Sequence, residues 1–258
     1  MPRHYLVSRD ELCRDERWVG ILQPGYFPWL GFFHQMSMVD LFILQDDAQY
    51  TRNSWRQRMK VRTREGWRWL TVPVRTKGRH PQRITDVRID NTKVWRQKHM
   101  NVLDSAFSRS PFWPEHRERV MQTLEDSGDS LVDLDVSSIR QLAEEFGIDT
   151  PVERSSLLGL EDRFASDGRG KRARSTKLAN FVRSLGGTHF LEGATGRNLL
   201  DLEVFQEVGV ELVFHEFQHP VYNQCWPGFE PYMSSIDLLL NCRPGDRQLS
   251  LGLLEAQA

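Results

Sequence analysis

The stretch from Val19 to Val74, VGILQPGYFPWLGFFHQMSMVDLFILQDDAQYTRNSWRQRMKVRTREGWRWLTVPV, decides the fold. A short apolar run, Val19 to Leu22, ends at Gln23-Pro24, and a loop dense in Gly, Pro and aromatic residues follows. The segment from Gly31 to Val39 suits a helix, and a second apolar run, Leu41 to Leu44, stops on Gln45-Asp46-Asp47. Strand, loop, helix and strand in so few residues predict a βαβ unit with parallel strands. In such sheets ligands sit beyond the carboxyl ends of the strands. Here those ends carry Gln23-Pro-Gly-Tyr26 and Asp46-Asp47-Ala-Gln49-Tyr50, so polar and aromatic groups crowd the edge where a site belongs.

Downstream, Thr51 to Arg64 is strongly basic. From Arg56 the spacing is two, so an extended segment places Arg56, Arg58, Lys60, Arg62 and Arg64 on one face and Met59 and Val61 on the other. The stripe is either a solvated strand face or an anion-binding face, because guanidinium groups fork onto phosphate and carboxylate. Its place after the Asp46-Asp47 strand end favours function for Arg52 and Arg58. Gly66 breaks the segment and Trp67 to Val74 resumes it, which predicts a hairpin through Thr63 to Gly66. Ile84, Val87 and Ile89 predict one more short strand. Helical spacing predicts helices over 92–107, 114–125 and 131–146, the last opened by Asp129-Ser130 and closed by Gly147. This middle reads as scaffold, without assigned chemistry.

A short strand is expected near 149–155. A Gly- and Arg-rich loop, 159–175, then leads into a helix from Thr176 to Leu185. It reads as a surface loop or as a phosphate clamp at a helix start. It is no P-loop, because Gly170-Lys171 is followed by Arg172. Thr188 to Leu191 predicts a strand, Asn198 to Val208 a helix, and Val210 to Phe214 a strand. Ser234 or Ser235 would cap a last helix with Asp237 in its first turn. The fold class is therefore α/β: a mostly parallel sheet flanked by helices, with a β-hairpin near residues 51–74 and a helical middle segment. The simplest organisation is a polar leader over 1–17, one α/β domain over 18–247 and a C-terminal tail over 248–258.

The totals narrow the class. Of 258 residues, 39% are hydrophobic and 27% charged, ordinary for a globular protein, and the net charge of -1 supplies no global field for nucleic acid or anionic membranes. Three cysteines without C-x-x-C spacing argue against a disulfide framework or a zinc knuckle. No apolar run approaches the roughly 20 residues of a membrane helix, and the charged N-terminus has no signal-peptide core, so a cytoplasmic protein is expected. The eight tryptophans lie mostly in the N-terminal half beside Arg, Lys or Gln, as packing residues or as a stacking surface for a sugar or a base.

His215-Glu-Phe-Gln-His219 matches H-E-x-x-H, but zinc chemistry needs both histidines on one helix face. Here the preceding residues read as strand, and Pro220 disfavours helix at His219. No metal site is assigned.

The runs QPGYFPWLGFF, DLFILQDDAQY, TRNSWRQR and WLTVPV resemble the WbqC-like family, bacterial proteins met in O-antigen, other polysaccharide and secondary-metabolite settings. The resemblance implies glycine, or more broadly aminoacyl, transfer. It also extends to His219-Pro-Val-Tyr-Asn-Gln224, which makes His219, Tyr222 and Gln224 site candidates. The chain departs from the family at Glu192, where relatives carry serine, and at Arg243, where they carry glycine. The first βαβ unit further resembles nucleotidyltransferase and pantothenate-synthetase-type folds, which would imply an adenylating ligase.

The expected activity is transfer of an acyl or aminoacyl group to an amine or hydroxyl of a sugar or small metabolite. Asp46 or Asp47 would be general base or bind the acceptor amine, and His219 would share proton transfer. Arg52, Arg58 and Lys60 would hold phosphate or carboxylate, and Tyr26, Trp29 and Trp55 would wall the pocket. Gln23, Gln49, Tyr50, Tyr222, Gln224, Ser234 and Asp237 complete the candidate substrate contacts. The expected partners are a small-molecule or sugar substrate with a nucleotide or charged tRNA as donor, and no membrane. The residues name no cofactor and no oligomeric state. A non-catalytic module that binds a nucleotide-sugar or a carrier-bound intermediate is the competing reading, and RNA contact through the Arg52 to Arg64 stripe a third.

Overall fold

The computed structural model describes residues 16–79, 81–165, 168 and 170–252. His80, Asp167, Arg169 and most of the expected leader lie outside them. In chain order the elements are β1 (Trp18–Leu22), α1 (Leu30–Ser37), β2 (Leu41–Leu44), β3 (Arg58–Thr63), β4 (Gly66–Thr71), α2 (Trp95–Ala106), α3 (Trp113–Asp126), α4 (Leu131–Phe146), β5 (Val152–Arg154), α5 (Ser155–Leu158), α6 (Leu160–Arg163), α7 (Lys171–Ser184), β6 (His189–Gly193), α8 (Leu202–Val208), β7 (Glu211–His215), α9 (Ile236–Asn241) and α10 (Pro244–Ser250). They fall into two compact units. Among the described residues the first holds those of 16–22, 34–45 and 150–218, and the second those of 23–33, 46–149 and 219–252.

The first unit is built on a five-stranded sheet in the order β5-β2-β1-β6-β7, every pair parallel. All four residues of β2 are buried, the continuous apolar run that a parallel strand covered on both faces requires. Val19, Ile21, Ile43, Phe181, Phe190 and Phe205 form part of one core cluster on this sheet. Gly20 lets β1 and β2 approach, since a Cβ there would meet the Phe42 ring at 2.9 Å.

The second unit carries the β3–β4 hairpin and the helical middle. The hairpin pairs Lys60 with Trp69 and Arg62 with Trp67 in antiparallel register, turning at Arg64-Glu65. Helix α4 is buried nearly all round, exposing only Asp133, Arg140 and Glu144. Ser130 caps its first turn by accepting from the Asp133 amide at 3.3 Å. Gly147 ends it at φ 70, a left-handed conformation glycine adopts without strain.

Several expectations change. The helix expected over 198–208 begins at Leu202, where Asp201 caps it, and Ser235 before α9 makes no side-chain cap bond. The expected strand at 84–89 is a single 3-10 turn, Ile84–Asp86, followed by isolated bridges from Arg88 and Ile89. Helix α7 begins at Lys171 rather than Thr176, because Gly170, at φ 96, is the last breaker and nothing in Lys-Arg-Ala-Arg-Ser opposes helix. The five-residue basic stripe also dissolves. Arg56 precedes β3, Arg64 lies in the turn, and Arg62 is buried with its guanidinium donating to the carbonyls of Thr63, Gly66 and Pro227. Strand alternation puts Arg58, Lys60 and Arg62 on one face, and of these Arg62 is tied down by backbone carbonyls.

Candidate functional site

The candidate site residues from Gln23 to Lys60 and from His219 to Asp237 lie in the second unit. The Gln23–Trp29 loop is its fixed point. Tyr26 N donates to the Trp55 carbonyl at 3.1 Å, and Phe27 N donates to Ser138 Oγ at 3.1 Å. Ser234 Oγ donates to the Phe27 carbonyl at 2.7 Å, and Ser235 N to that of Pro28 at 2.9 Å. These bonds hold Phe27 at φ 43, a conformation that costs a non-glycine residue free energy and persists only where the surroundings impose it. Ser234 is thus the fastener of this loop, and Trp29 bridges to Ser234 while its ring leans on Tyr232 at 5.7 Å.

Behind the loop lies a buried polar centre. Tyr26 Oη is 3.0 Å from His99 Nδ1, and His99 Nε2 is 3.3 Å from the Thr71 carbonyl. A carbonyl only accepts, so Nε2 carries the proton and Nδ1 accepts from the tyrosine. Burial lowers His99 to about 4, which keeps the ring neutral. Asp135, on α4, is wholly buried, and neither carboxylate oxygen has a hydrogen-bond partner. Burial raises its pKa well above the ordinary value, and the Arg56 guanidinium pulls the other way. Burial likewise raises Tyr50 to about 12, with Arg52 and Arg56 opposing and Asp135 adding to the shift. Tyr50 Oη, Arg56 Nε and Gln23 Oε1 are buried and unpartnered as well. Native interiors leave few such atoms, and Asp135, Arg56 and Tyr50 act electrostatically on one another, which marks a candidate site.

Asp46 and Asp47 are both buried. They follow the end of β2 and lie off the strand. The bend runs against residues 82–85: Thr85 N donates to the Asp46 carbonyl, Ile84 N to that of Ala48, and Tyr50 N to that of Gln82. Gln49 bridges Arg83 and is exposed, as is Arg52.

Tyr222, Gln224 and Asp237 do come together. Tyr222 Oη and Gln224 Nε2 each donate to Asp237 Oδ2 at 2.9 Å, and Gln224 also closes on both backbone groups of Glu230. Asp237 Oδ1 is left buried without a partner, and burial pushes this carboxyl up to about 6 against those two hydrogen bonds. His219 donates from Nδ1 to the Pro220 carbonyl at 2.8 Å and accepts at Nε2 from Tyr232 N at 3.1 Å. Both ring nitrogens serve the loop, so the proton-transfer role expected of His219 has no free nitrogen here.

In the first unit, His215 ends β7, and its Nε2 lies 2.6 Å from Nδ1 of His34 on α1. The first histidine of the H-E-x-x-H run therefore sits on a strand. Burial lowers His34 to about 4 and His215 to about 3, so both rings are neutral and one donates its N–H to the bare nitrogen of the other. Gln35 Nε2 donates to the Leu191 carbonyl at 2.8 Å and ties α1 to β6. Burial raises Glu192, on β6, to about 7, and its side chain packs over Gly196, where a Cβ would meet it at 2.4 Å.

Sequence reasoning passed over Asp135, His99, and the pairing of His34 with His215. Asp135 had a signal: it falls four residues after Leu131 and four before Ile139, on the buried side of α4. A carboxylate there is costly without a partner, so its presence points to function.

The parallel sheet defines an α/β protein, and its second unit carries a buried, carboxylate-centred polar cluster. The chain belongs to the WbqC-like protein family, whose model matches residues 23–249. It is 33% identical over 225 residues to the uncharacterized protein Rv1507c of Mycobacterium tuberculosis (strain ATCC 25618 / H37Rv), covering 86% of this chain and 93% of that protein. No solved structure matches the chain. Among the described residues no helix is long and apolar enough to cross a membrane.

Proposed function

We propose that the chain is an acyl or aminoacyl transferase, glycyl transfer included, acting on an amine or hydroxyl of a sugar or small metabolite in polysaccharide or secondary-metabolite biosynthesis. Asp135 carries the reading: a wholly buried carboxyl with both oxygens unpartnered, coupled to Arg56 and Tyr50, whose buried Nε and Oη are also unpartnered. Burial raises the Asp135 carboxyl above the ordinary carboxylate range, the kind of environment in which a carboxyl can exchange protons with a reacting group. The acceptor nitrogen or oxygen attacks the acyl carbonyl, the new C–N or C–O bond forms, and the bond to the carrier breaks. The carrier leaves with that electron pair. The proton released by the nucleophile passes to the Asp135 carboxylate and from there to the leaving atom. Arg56 and Tyr50 supply donors suited to the negative oxygen of the intermediate. Asp46 and Asp47 supply carboxylates for an acceptor amine. The cytoplasm, where activated donors are made, is the compartment this reading takes.

The test offers labelled aminoacyl-tRNA, aminoacyl adenylates and acyl thioesters to the full chain with small amines and aminosugars. Asp135→Asn should lower label transfer about a hundredfold or more with the fold retained in circular dichroism. Undiminished transfer would remove Asp135 from the chemistry. Asp47→Asn should also abolish turnover in a folded protein, and unchanged turnover would dismiss that role.

A second reading is a non-catalytic module for a nucleotide-sugar or carrier-bound intermediate. The Tyr222–Gln224–Asp237 network favours it, because it gathers three expected substrate contacts and leaves Asp237 Oδ1 buried and unpartnered. It predicts saturable binding with no product from any donor.

A further inference from the structure

The outer face of the β3–β4 hairpin interleaves cations with tryptophans. Register puts Arg58, Lys60, Trp67 and Trp69 on one side and Met59, Val61 and Leu70 on the other, where all three are buried. Arg58 lies over the Trp69 ring at 4.2 Å, and Lys60 over Trp67 at 4.1 Å and Trp69 at 5.8 Å. Trp55 joins the row edge-on to Trp69 at 5.0 Å. Trp55 and Trp67 remain 41% and 44% exposed, although large aromatic rings normally seek cover. Neither Arg58 nor Lys60 has an ion-pair partner among the described residues, and over 51–71 seven Arg or Lys residues face a lone acidic residue, Glu65. The chain as a whole is at -1, so the positive charge is local.

We propose that this face binds single-stranded RNA, stacking bases on Trp67 and Trp55 and holding phosphates with Lys60 and Arg58. Alternating rings and cations are what a single strand needs, since every base offers a π face and every linkage a charge. A neutral sugar would use the rings and leave the cations idle. A membrane would need an apolar wedge, and the hairpin exposes no aliphatic side chain while its rings are packed edge to face. The proposal is independent of the transfer reading and holds whether or not the Asp135 cluster is catalytic.

The test is fluorescence anisotropy of the full chain with a labelled, unstructured 20-nucleotide RNA. Two neutralised phosphates predict binding about sevenfold weaker on raising salt from 50 to 200 mM, at a slope of roughly -0.7 per phosphate. Trp67→Ala should weaken binding about tenfold and Trp67→Phe far less, as base stacking requires. Lys60→Gln should weaken binding and flatten the salt slope. No binding at 50 mM salt would overturn the proposal, as would equal affinity of wild type and Trp67→Ala. AMP competing as well as the oligomer would reduce the face to a mononucleotide site and overturn it too. So would binding to phosphatidylserine vesicles in place of RNA.

Discussion

The hydroxyl of Tyr26 donates to Nδ1 of His99 across 3.0 Å, and this bond sets the tautomer of a buried imidazole whose other nitrogen serves the Thr71 carbonyl. Tyr26→Phe keeps a ring of nearly the same shape but leaves Nδ1 buried without a donor. The expected loss is about 1–3 kcal/mol, the cost of a stranded buried acceptor, read from the urea midpoint at unchanged m. An unmoved midpoint would show that the bond contributes nothing net.

Asp135 makes stability depend on pH in a stated direction. Burial raises its folded pKa, whereas the unfolded carboxyl ionises near pH 4. A raised group contributes stability that is full below the unfolded pKa and is lost as pH climbs toward the folded one. Asp237, at about 6, has the same sign over the window from about 4 to 6. Relative to wild type, Asp135→Asn should therefore gain melting temperature between pH 4 and 7. A constant gap across that range would mean that Asp135 ionises as easily folded as unfolded.

The His34–His215 pair works the other way. Burial depresses both rings, to about 4 and about 3, against an unfolded value near 6.5. Their contribution is full above pH 6.5 and is lost as pH falls toward 4 and 3, because the unfolded chain takes up the protons first. His99, lowered to about 4, adds to the same trend. The double variant His34→Gln, His215→Gln should show a smaller drop in melting temperature from pH 6.5 to 4.5. A drop as steep as that of wild type would move the acid sensitivity elsewhere.

What the sequence could say about this chain followed the range of the forces involved. Val19 to Leu22 and Leu41 to Leu44 declare parallel strands because burial on both faces admits only apolar residues, and they match β1 and β2 closely. Ser130 and Gly147 punctuate α4 because cap and left-handed turn are local chemistry. The basic stripe misled because Arg62 has carbonyl partners as distant in sequence as Pro227, and spacing within one segment says nothing of them. In the site, the Gln23–Trp29 loop and the Asp46–Tyr50 bend were visible as turn-rich polar ends of apolar runs. Asp135 was hidden inside a helix whose periodicity reads as scaffold, and His34 meets His215 across 181 residues. Such pairings exist only after folding.

Phe27 offers a test of how the site loop is held. Ser138 accepts from its amide and Ser234 donates to its carbonyl, so two side chains from distant segments clamp one strained residue. Each serine-to-alanine change strands a buried backbone group and should cost about 1–3 kcal/mol alone. Once one bond is gone, Phe27 can relax from its left-handed conformation, and the second bond then has less strain to hold. The double variant Ser138→Ala, Ser234→Ala should accordingly fall short of the summed singles by about 0.5 kcal/mol or more in a denaturation cycle. Strict additivity would show that the two serines act independently and that Phe27 is held by its packing instead.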